Sequence, residues 1–557
     1  MTKFYLIIFI IISGMFSIKA QTNPDTIWTK TIGGSYVEAF GEDNTQTKSK
    51  ISLSYDEKSL YIGTTTASGD GDVSDSLGNL DGWIVKMNLD GDTLWTDVFG
   101  GSGFDYLSDI TATPDGGVVI CGFSNSQDVD FANTKLHTNI NLPDLDFMTD
   151  GFIAKYTAEG KKEWVKYYGG RPLADLTSMG QDELYEIIVT KDGNYLAVGY
   201  TYSETDDLPV DYDKYRGAWF LKVDKTGKII LSDKLVSPTH NENSSNKFYD
   251  VVEQEENIFY LIGWQGYMRE IAGGFIIEDF FWAVKTDGVT IFAQDEYGIP
   301  NTSTYASSIC KGPDNTFFAV GSHYGTGGDV QTSNGKLDVW LIQLDSDLNL
   351  VDQNSFGGSE NDYPFQVVSD NFGHYFMVGY STSTDLYAEG SFGGSDFWAV
   401  NFDDNLDFLQ SYKAGGSLSD ALTDAVFSKD GKTLFLTGRT ESNENYVHNN
   451  HGYTDIWVSK ITQDVTLGVK DISGNVSNID IFPNPSKGNI QINNYKNSSY
   501  SISDITGKSI LNGTLNSDNE ILNLDNLQNG IYFINIHSIS ENGTTETSKT
   551  GRFVISK

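Results

Sequence analysis

Two cysteines, Cys121 and Cys310, are all that the 557 residues contain, so no disulfide framework holds this chain together. Proline is scarce, 11 residues against 57 glycines, and basic side chains are outnumbered by acidic ones, 37 to 76. The resulting formal charge of −39 excludes nucleic acid as a partner, because phosphate binding depends on clustered Lys and Arg. The same acidity leaves room for divalent cations. After the first twenty residues there is no long apolar run, so the mature chain is expected to have no transmembrane segment. Helix-period stretches are missing too, which excludes a helical or leucine-rich solenoid. Nor is there a nucleophile elbow, a Walker loop, a dinucleotide fingerprint or a zincin motif, and no residue is assigned a catalytic role.

What is present begins with a targeting segment. Lys3 gives a basic start, and Phe4 to Phe16 form an apolar run too short for a permanent membrane span. Residues 1–20 therefore read as a signal peptide, with Ala20-Gln21 as the cleavage point. Beyond it, abundant Tyr, Phe, Thr, Asn and Gly describe strands and turns.

Three signals then recur in fixed order along residues 25–463. The first is a strand of the form Asp-x-Trp-x-x-Lys, as in Asp81-Gly82-Trp83-Ile84-Val85-Lys86. It returns around Phe152, Trp219, Trp282, Trp340, Trp398 and Trp457, at intervals of roughly 60 to 70 residues. The second is a β-rich run ending in Gly, at Gly63, Gly122, Gly199, Gly263, Gly321, Gly379 and Gly438. The third is Gly-Gly-Ser or a relative, as at Gly100-Gly101-Ser102. Turns such as Thr113-Pro114-Asp115-Gly116-Gly117 separate alternating apolar runs, a hairpin signature.

Each unit thus reads as four strands, a to d, and the repeat predicts an all-β, seven-bladed β-propeller over residues 22–464. The frame of the repeat adds a prediction. The chain opens on a d-type strand, Ile27-Trp28-Thr29-Lys30, and its last repeat stops after strand c. The N-terminal strand should therefore complete the last blade and leave no bare sheet edge. Cys121 and Cys310 fall in blades 2 and 5, too far apart to pair, so two buried free thiols are expected.

After a polar linker, residues 465–477, the pattern changes. Ile481-Phe482-Pro483-Asn484-Pro485 is followed by Ser501-Ile502-Ser503-Asp504-Ile505-Thr506-Gly507-Lys508, then Leu527-Gln528-Asn529-Gly530-Ile531-Tyr532-Phe533, and finally Arg552-Phe553-Val554-Ile555-Ser556-Lys557. These ordered boxes resemble the type A C-terminal sorting domain of type IX secretion cargo. The resemblance covers residues 478–557 and implies a small β-sandwich, recognition by the type IX machinery, and export from the periplasm across the outer membrane to the cell surface or medium. The repeats themselves resemble secreted bacterial propellers with Trp and Gly-Gly-Ser blades, a likeness that implies no particular ligand.

The Trp residues recur at one blade position, as packing between sheets requires, and are assigned to the core. An Asp that follows the Gly-Gly pair, Asp105, Asp175, Asp362 or Asp420, is assigned to capping the tight loop. Function is sought where blades differ, in the b-to-c loops that share a face with the d-to-a loops. Directly after the strand-b Gly stand Phe123, Tyr200, Trp264, Tyr380 and Arg439, the candidate ligand-binding residues. In the loop Ser68 to Asp75, the carboxylates of Asp70, Asp72 and Asp75 are candidate Ca²⁺ ligands, with a merely solvated loop as the plain alternative. His448 and His451 are a weaker metal candidate, since two His alone rarely specify zinc.

The expected function is a non-catalytic module that binds extracellular glycan or protein. The competing expectation is a polysaccharide hydrolase or lyase with its site at the mouth of the propeller channel.

Overall fold

The structure, a computed structural model, describes residues 26–39, 48–137, 149–170, 181–203, 206–208, 217–237, 244–271, 274–370, 372–462, 481–483, 486–493, 495–504, 509–524, 526–528, 530–539 and 546–557. The expected signal peptide and linker lie outside these residues, as does Asp175. Two compact units divide the chain, Met1–Asp464 and Val465–Lys557. Among the described residues no helix is long and apolar enough to cross a membrane.

The first unit is a seven-bladed propeller of four-stranded antiparallel sheets. Blade 1 runs Lys50–Leu53, Ser59–Thr66, Asp81–Asn88, Thr93–Phe99, and the others repeat that order. Strand a of each blade packs against strand a of the next, and that of blade 7 against blade 1, so these seven strands line a closed axis. Asp-Gly turns carry a into b: Thr113 N donates to the Gly117 carbonyl and Gly116 N to the Thr113 carbonyl, and the Gly116 φ of 86° favours glycine. Blade 4 departs from the pattern. Its strands b and c, Ile258–Ile271 and Gly274–Thr286, pair without interruption as far as Ile271 and Gly274, in place of the polar loop that the repeat predicts there.

Blade 7 is completed from the other end of the chain. Asp420–Phe427, Thr433–Thr440 and Asp455–Thr462 are joined by Thr26–Ile32, with Trp28 opposite Lys460 and Ile32 opposite Ile456. Trp28 Nε1 also donates to the Leu89 carbonyl of blade 1, 3.1 Å away.

The repeated Trp residues are core. Trp83, Trp219, Trp282, Trp340, Trp398 and Trp457 are all buried, each burial contributing roughly 2–3 kcal/mol. Trp457 stacks on Phe397 of blade 6 at 4.4 Å, and Trp340 meets Phe281 of blade 4 at 4.9 Å, so one blade covers the next. Cys121 and Cys310 are buried and free.

Carboxylates fasten the Gly-Gly loops at the blade junctions. Asp105, Asp362 and Asp420 each accept the N–H of the second glycine, Gly101, Gly358 and Gly416, at 2.7 Å. In blade 3 Asp182 fills this role, bonded to Gly170 N at 2.9 Å. A Cβ on Gly100 would stand 2.5 Å from Asp81 Oδ1 and 2.6 Å from Asp105 Oδ2, so only glycine lets both carboxylates approach.

The second unit holds two small sheets. One orders Ile481–Phe482, Asn489–Asn493 and Asn519–Asn523; the other orders Ser509–Thr514, Ser499–Asp504, Gly530–Ile539 and Glu546–Ile555. Ile490, Ile492, Ile502, Leu522, Ile534, Ile536 and Ile555 share their core, the arrangement of a β-sandwich.

Candidate functional site at the channel mouth

A bulge shapes the channel. In blades 2 to 7 the pairing of strand a with strand b steps past one residue, for instance between Leu107 and Asp109, between Leu184 and Glu186, and between Phe248 and Asp250. Each bulge re-aims side chains that strict alternation would have placed between blades. The bulged residues Ser108, Tyr185, Tyr249 and Ser307, with Lys48, Lys50 and Gln366, line an axial cavity of about 30 Å³.

The residues after the bulges of blades 2 to 7, Asp109, Glu186, Asp250, Ser308, Gln366 and Asp424, form a polar ring with Lys50 of blade 1, whose strand a has no bulge. Members reach across to the following blade. Asp109 Oδ2 accepts Ile187 N at 2.8 Å, Asp250 Oδ2 accepts Ile309 N at 2.9 Å and Ser308 Oγ at 2.6 Å, and Asp424 Oδ2 accepts Ile51 N at 2.9 Å. Lys50 Nζ meets Glu186 Oε2 at 2.8 Å. Burial opposes the Lys50 charge, but Glu186, Asp109 and Asp424 outweigh it and hold its pKa well above the ordinary value. Burial lifts Asp424 to about 6.

Lys48 stands apart. Its ammonium lies 4.6 Å from the centroid of the Phe365 ring. Burial first, and then the neighbouring Lys50 charge, lower its pKa to about 7.

Above the cavity the rim is aromatic, and it holds the residues that follow the strand-b glycines. Phe123 pairs across the strands with Tyr106, Tyr200 with Glu183, Trp264 with Lys247, Tyr380 with Tyr363, and Arg439 with Ala421. The five candidates thus occupy equivalent places on one face. They are not equally accessible: Phe123 and Tyr200 are only 3% and 4% exposed, while Trp264, Tyr380 and Arg439 are half-buried. Phe123 is covered by its aromatic cross-strand neighbour, and Tyr200 by a lysine of the next blade. Tyr106 stacks on Phe123 at 4.7 Å, and Lys247 Nζ lies 4.2 Å over the Tyr200 ring.

Tyr200, Tyr185 and Tyr249 form one side of the rim, where Tyr185 donates to Glu183 Oε2 at 2.5 Å and burial raises the Glu183 pKa. Across the mouth Tyr363 stacks on Tyr380 at 4.8 Å and Phe365 lies 5.9 Å from it. Tyr305 and Tyr324 of blade 5 are 42% and 47% exposed. Trp264 is anchored by its Nε1 on Asp279 Oδ1, 2.9 Å away. The opposite end of the channel has a cavity of about 380 Å³ lined largely by strand ends, including Val252, Val367, Val368 and Ala425.

The candidate Ca²⁺ ligands have other partners here. Asp70 Oδ1 accepts Ser35 N at 2.7 Å and Asp72 Oδ2 accepts Gly33 N at 3.2 Å. Blade 2 repeats the clasp, with Asp128 on Ser102 N at 2.7 Å and Asp130 on Gly100 N at 3.0 Å, and Asp385 takes Ser359 N at 2.8 Å. Asp75 Oδ1 accepts its neighbour Ser76 N at 2.9 Å. Asp70 and Asp72 are thus one copy of a repeated fastening between the b-to-c and d-to-a loops. His451 Nδ1 lies 2.9 Å from Asp455 Oδ2. Among the described residues no three His, Cys, Asp or Glu side chains gather as a metal ion requires.

Comparison with known proteins bears on the second unit. Residues 480–550 match the secretion system C-terminal sorting domain, the type IX signal, which directs the chain to the cell surface or out of the cell. No curated protein matches the chain. Among solved structures it is similar to an α-L-arabinofuranosidase from Fusarium graminearum, determined with an iminosugar inhibitor, at 11% identity over 80% of this chain and 99% of that one, with a TM-score of 0.40.

Proposed function

We propose that the exported propeller is a non-catalytic module that binds an extracellular glycan or protein at the aromatic mouth of its channel. The observation that carries this reading is the rim itself: Trp264, Tyr305, Tyr324, Tyr363 and Tyr380 keep accessible surface on one face, around a polar cavity. Aromatic faces stack on sugar rings or fill protein hot spots, and polar groups at the centre fix orientation.

The competing reading, a hydrolase or lyase at the same mouth, draws on the ionisable channel ring. Hydrolysis of a glycosidic bond commonly needs two carboxyl groups poised at the substrate. Asp109, Asp250 and Asp424 are instead committed to backbone N–H groups of the next blade, and Glu186 to Lys50. These bonds support a stitching role for the ring.

A binding screen of the whole mature protein against extracellular polysaccharides and surface proteins tests the proposal. Binding that weakens about tenfold in Trp264→Ala or Tyr380→Ala is expected, the loss typical of an aromatic hot spot. No binding across the panel, or turnover of a polysaccharide, would overturn it.

A further inference from the structure

Resting on that binding reading, we infer that the mouth is specific for an acidic glycan, one whose carboxylate or sulfate enters the axial cavity and is held by Lys48. Lys48 is half-buried and makes no hydrogen bond or ion pair with the described residues; its ammonium lies against the face of Phe365. Lysines buried more deeply in the propeller are paired: Lys50 with Glu186 at 2.8 Å, Lys155 with Asp115 at 3.0 Å, and Lys222 with Asp192 at 2.6 Å. An ammonium carries three donors and no acceptor, and leaving them unmet away from water is costly. The missing acceptor is therefore assigned to the ligand.

The size and chemistry of the cavity narrow that acceptor. About 30 Å³ holds a water or two and not a sugar ring. One small planar or tetrahedral acid group fits, while the ring that bears it stays at the rim. Around Lys48 the walls offer hydrogen-bond donors: the Ser108 hydroxyl, which has no partner among the described residues, and the Gln366 amide, whose bond to Asp250 is long at 3.5 Å. The nearby carboxylates repel an incoming anion, but they are already engaged. Asp250 holds Ser308 and Ile309, Asp424 holds Ile51, and Lys50 sits against Glu186. Burial and the neighbouring Lys50 charge lower the Lys48 pKa against the opposing pull of Glu186, Asp424 and Asp250, and an acid group bound directly on the ammonium would favour its charged form further.

The test uses the full mature protein and three sets of oligosaccharides matched in length, one neutral, one of uronates and one sulfated, with affinity read by calorimetry. The wild type should bind one acidic set about tenfold more tightly than the neutral set, the worth of a charge-assisted hydrogen bond, and the favoured set names the acid group. In Lys48→Met the ratio of acidic to neutral affinity should fall to about one; should this variant not fold, Lys48→Gln, which keeps a donor without the charge, takes its place. Equal affinity for acidic and neutral sets in the wild type, or a preference that survives in the variant, would overturn the inference and leave the binding reading standing. If none of the three sets binds, the glycan form of that reading is overturned as well.

Discussion

Thr31, near the start of the chain, lies opposite Trp457 in the last repeat. This pairing turns a row of seven sheets into a ring, because Thr26–Ile32 occupies the edge that Asp455–Thr462 would otherwise present. Removing residues 26–32 should leave a protein that aggregates on size-exclusion chromatography. The milder Trp28→Ala, which loses the bond to Leu89 of blade 1 and a half-buried ring, should cost about 2 kcal/mol in thermal unfolding.

That closure was legible in the sequence, since strand order can be read from the frame of the repeat. The blade number, the core Trp residues and the sorting domain were legible for the same reason: each rests on residues repeated, or ordered, at fixed places. The channel was not. Its ring position is filled by Lys50, Asp109, Glu186, Asp250, Ser308, Gln366 and Asp424, which share polarity and not identity, so no repeat shows. The available signal was a polar residue just before the apolar end of each strand a, as in Ser108-Asp109-Ile110 and Tyr185-Glu186-Ile187, and a bulge that period-two counting does not anticipate. Asp182 was passed over for Asp175 because a longer d-to-a loop displaces the capping residue in blade 3. Lys48 lies outside every repeated motif.

Stability should depend on pH through the junction and channel carboxyls. Burial raises Asp105 and Asp424 to about 6, and Glu38 and Asp182 to about 7, against roughly 4 in an unfolded chain. A carboxyl raised on folding stabilises fully below its unfolded pKa, and that contribution is lost as pH climbs through the folded value. Lys48 has the opposite shift, but it acts on the slope mainly above about 7. The melting temperature should therefore rise as pH falls from 7 to 5, and Asp182→Asn should flatten that rise. A melting temperature that falls over this interval would count against the raised carboxyls.

The clasp formed by Asp70 and Asp72 can be separated from a Ca²⁺ site. Asp70→Asn and Asp72→Asn should each lower the melting temperature by weakening an acceptor for Ser35 N or Gly33 N. If the clasp alone matters, the decrement is the same in Ca²⁺ and in chelator, because only an ion bound to the native state adds stability. A wild-type melting temperature that rises with Ca²⁺ would restore the metal.

Export depends on the second unit. A chain shortened by residues 478–557 should accumulate in the periplasm, seen by fractionation and surface labelling, since the match at residues 480–550 is what the type IX machinery reads. Normal surface display of the shortened chain would refute this.

The most direct test of a binding face at the channel mouth is hydroxyl-radical footprinting of the whole protein, with and without whichever partner the screen returns. Protection should concentrate at Trp264, Tyr305, Tyr324 and Tyr363 on the rim. Protection confined to the other end of the channel, at Lys311, Val368 and Lys429, with the rim unchanged, would contradict it.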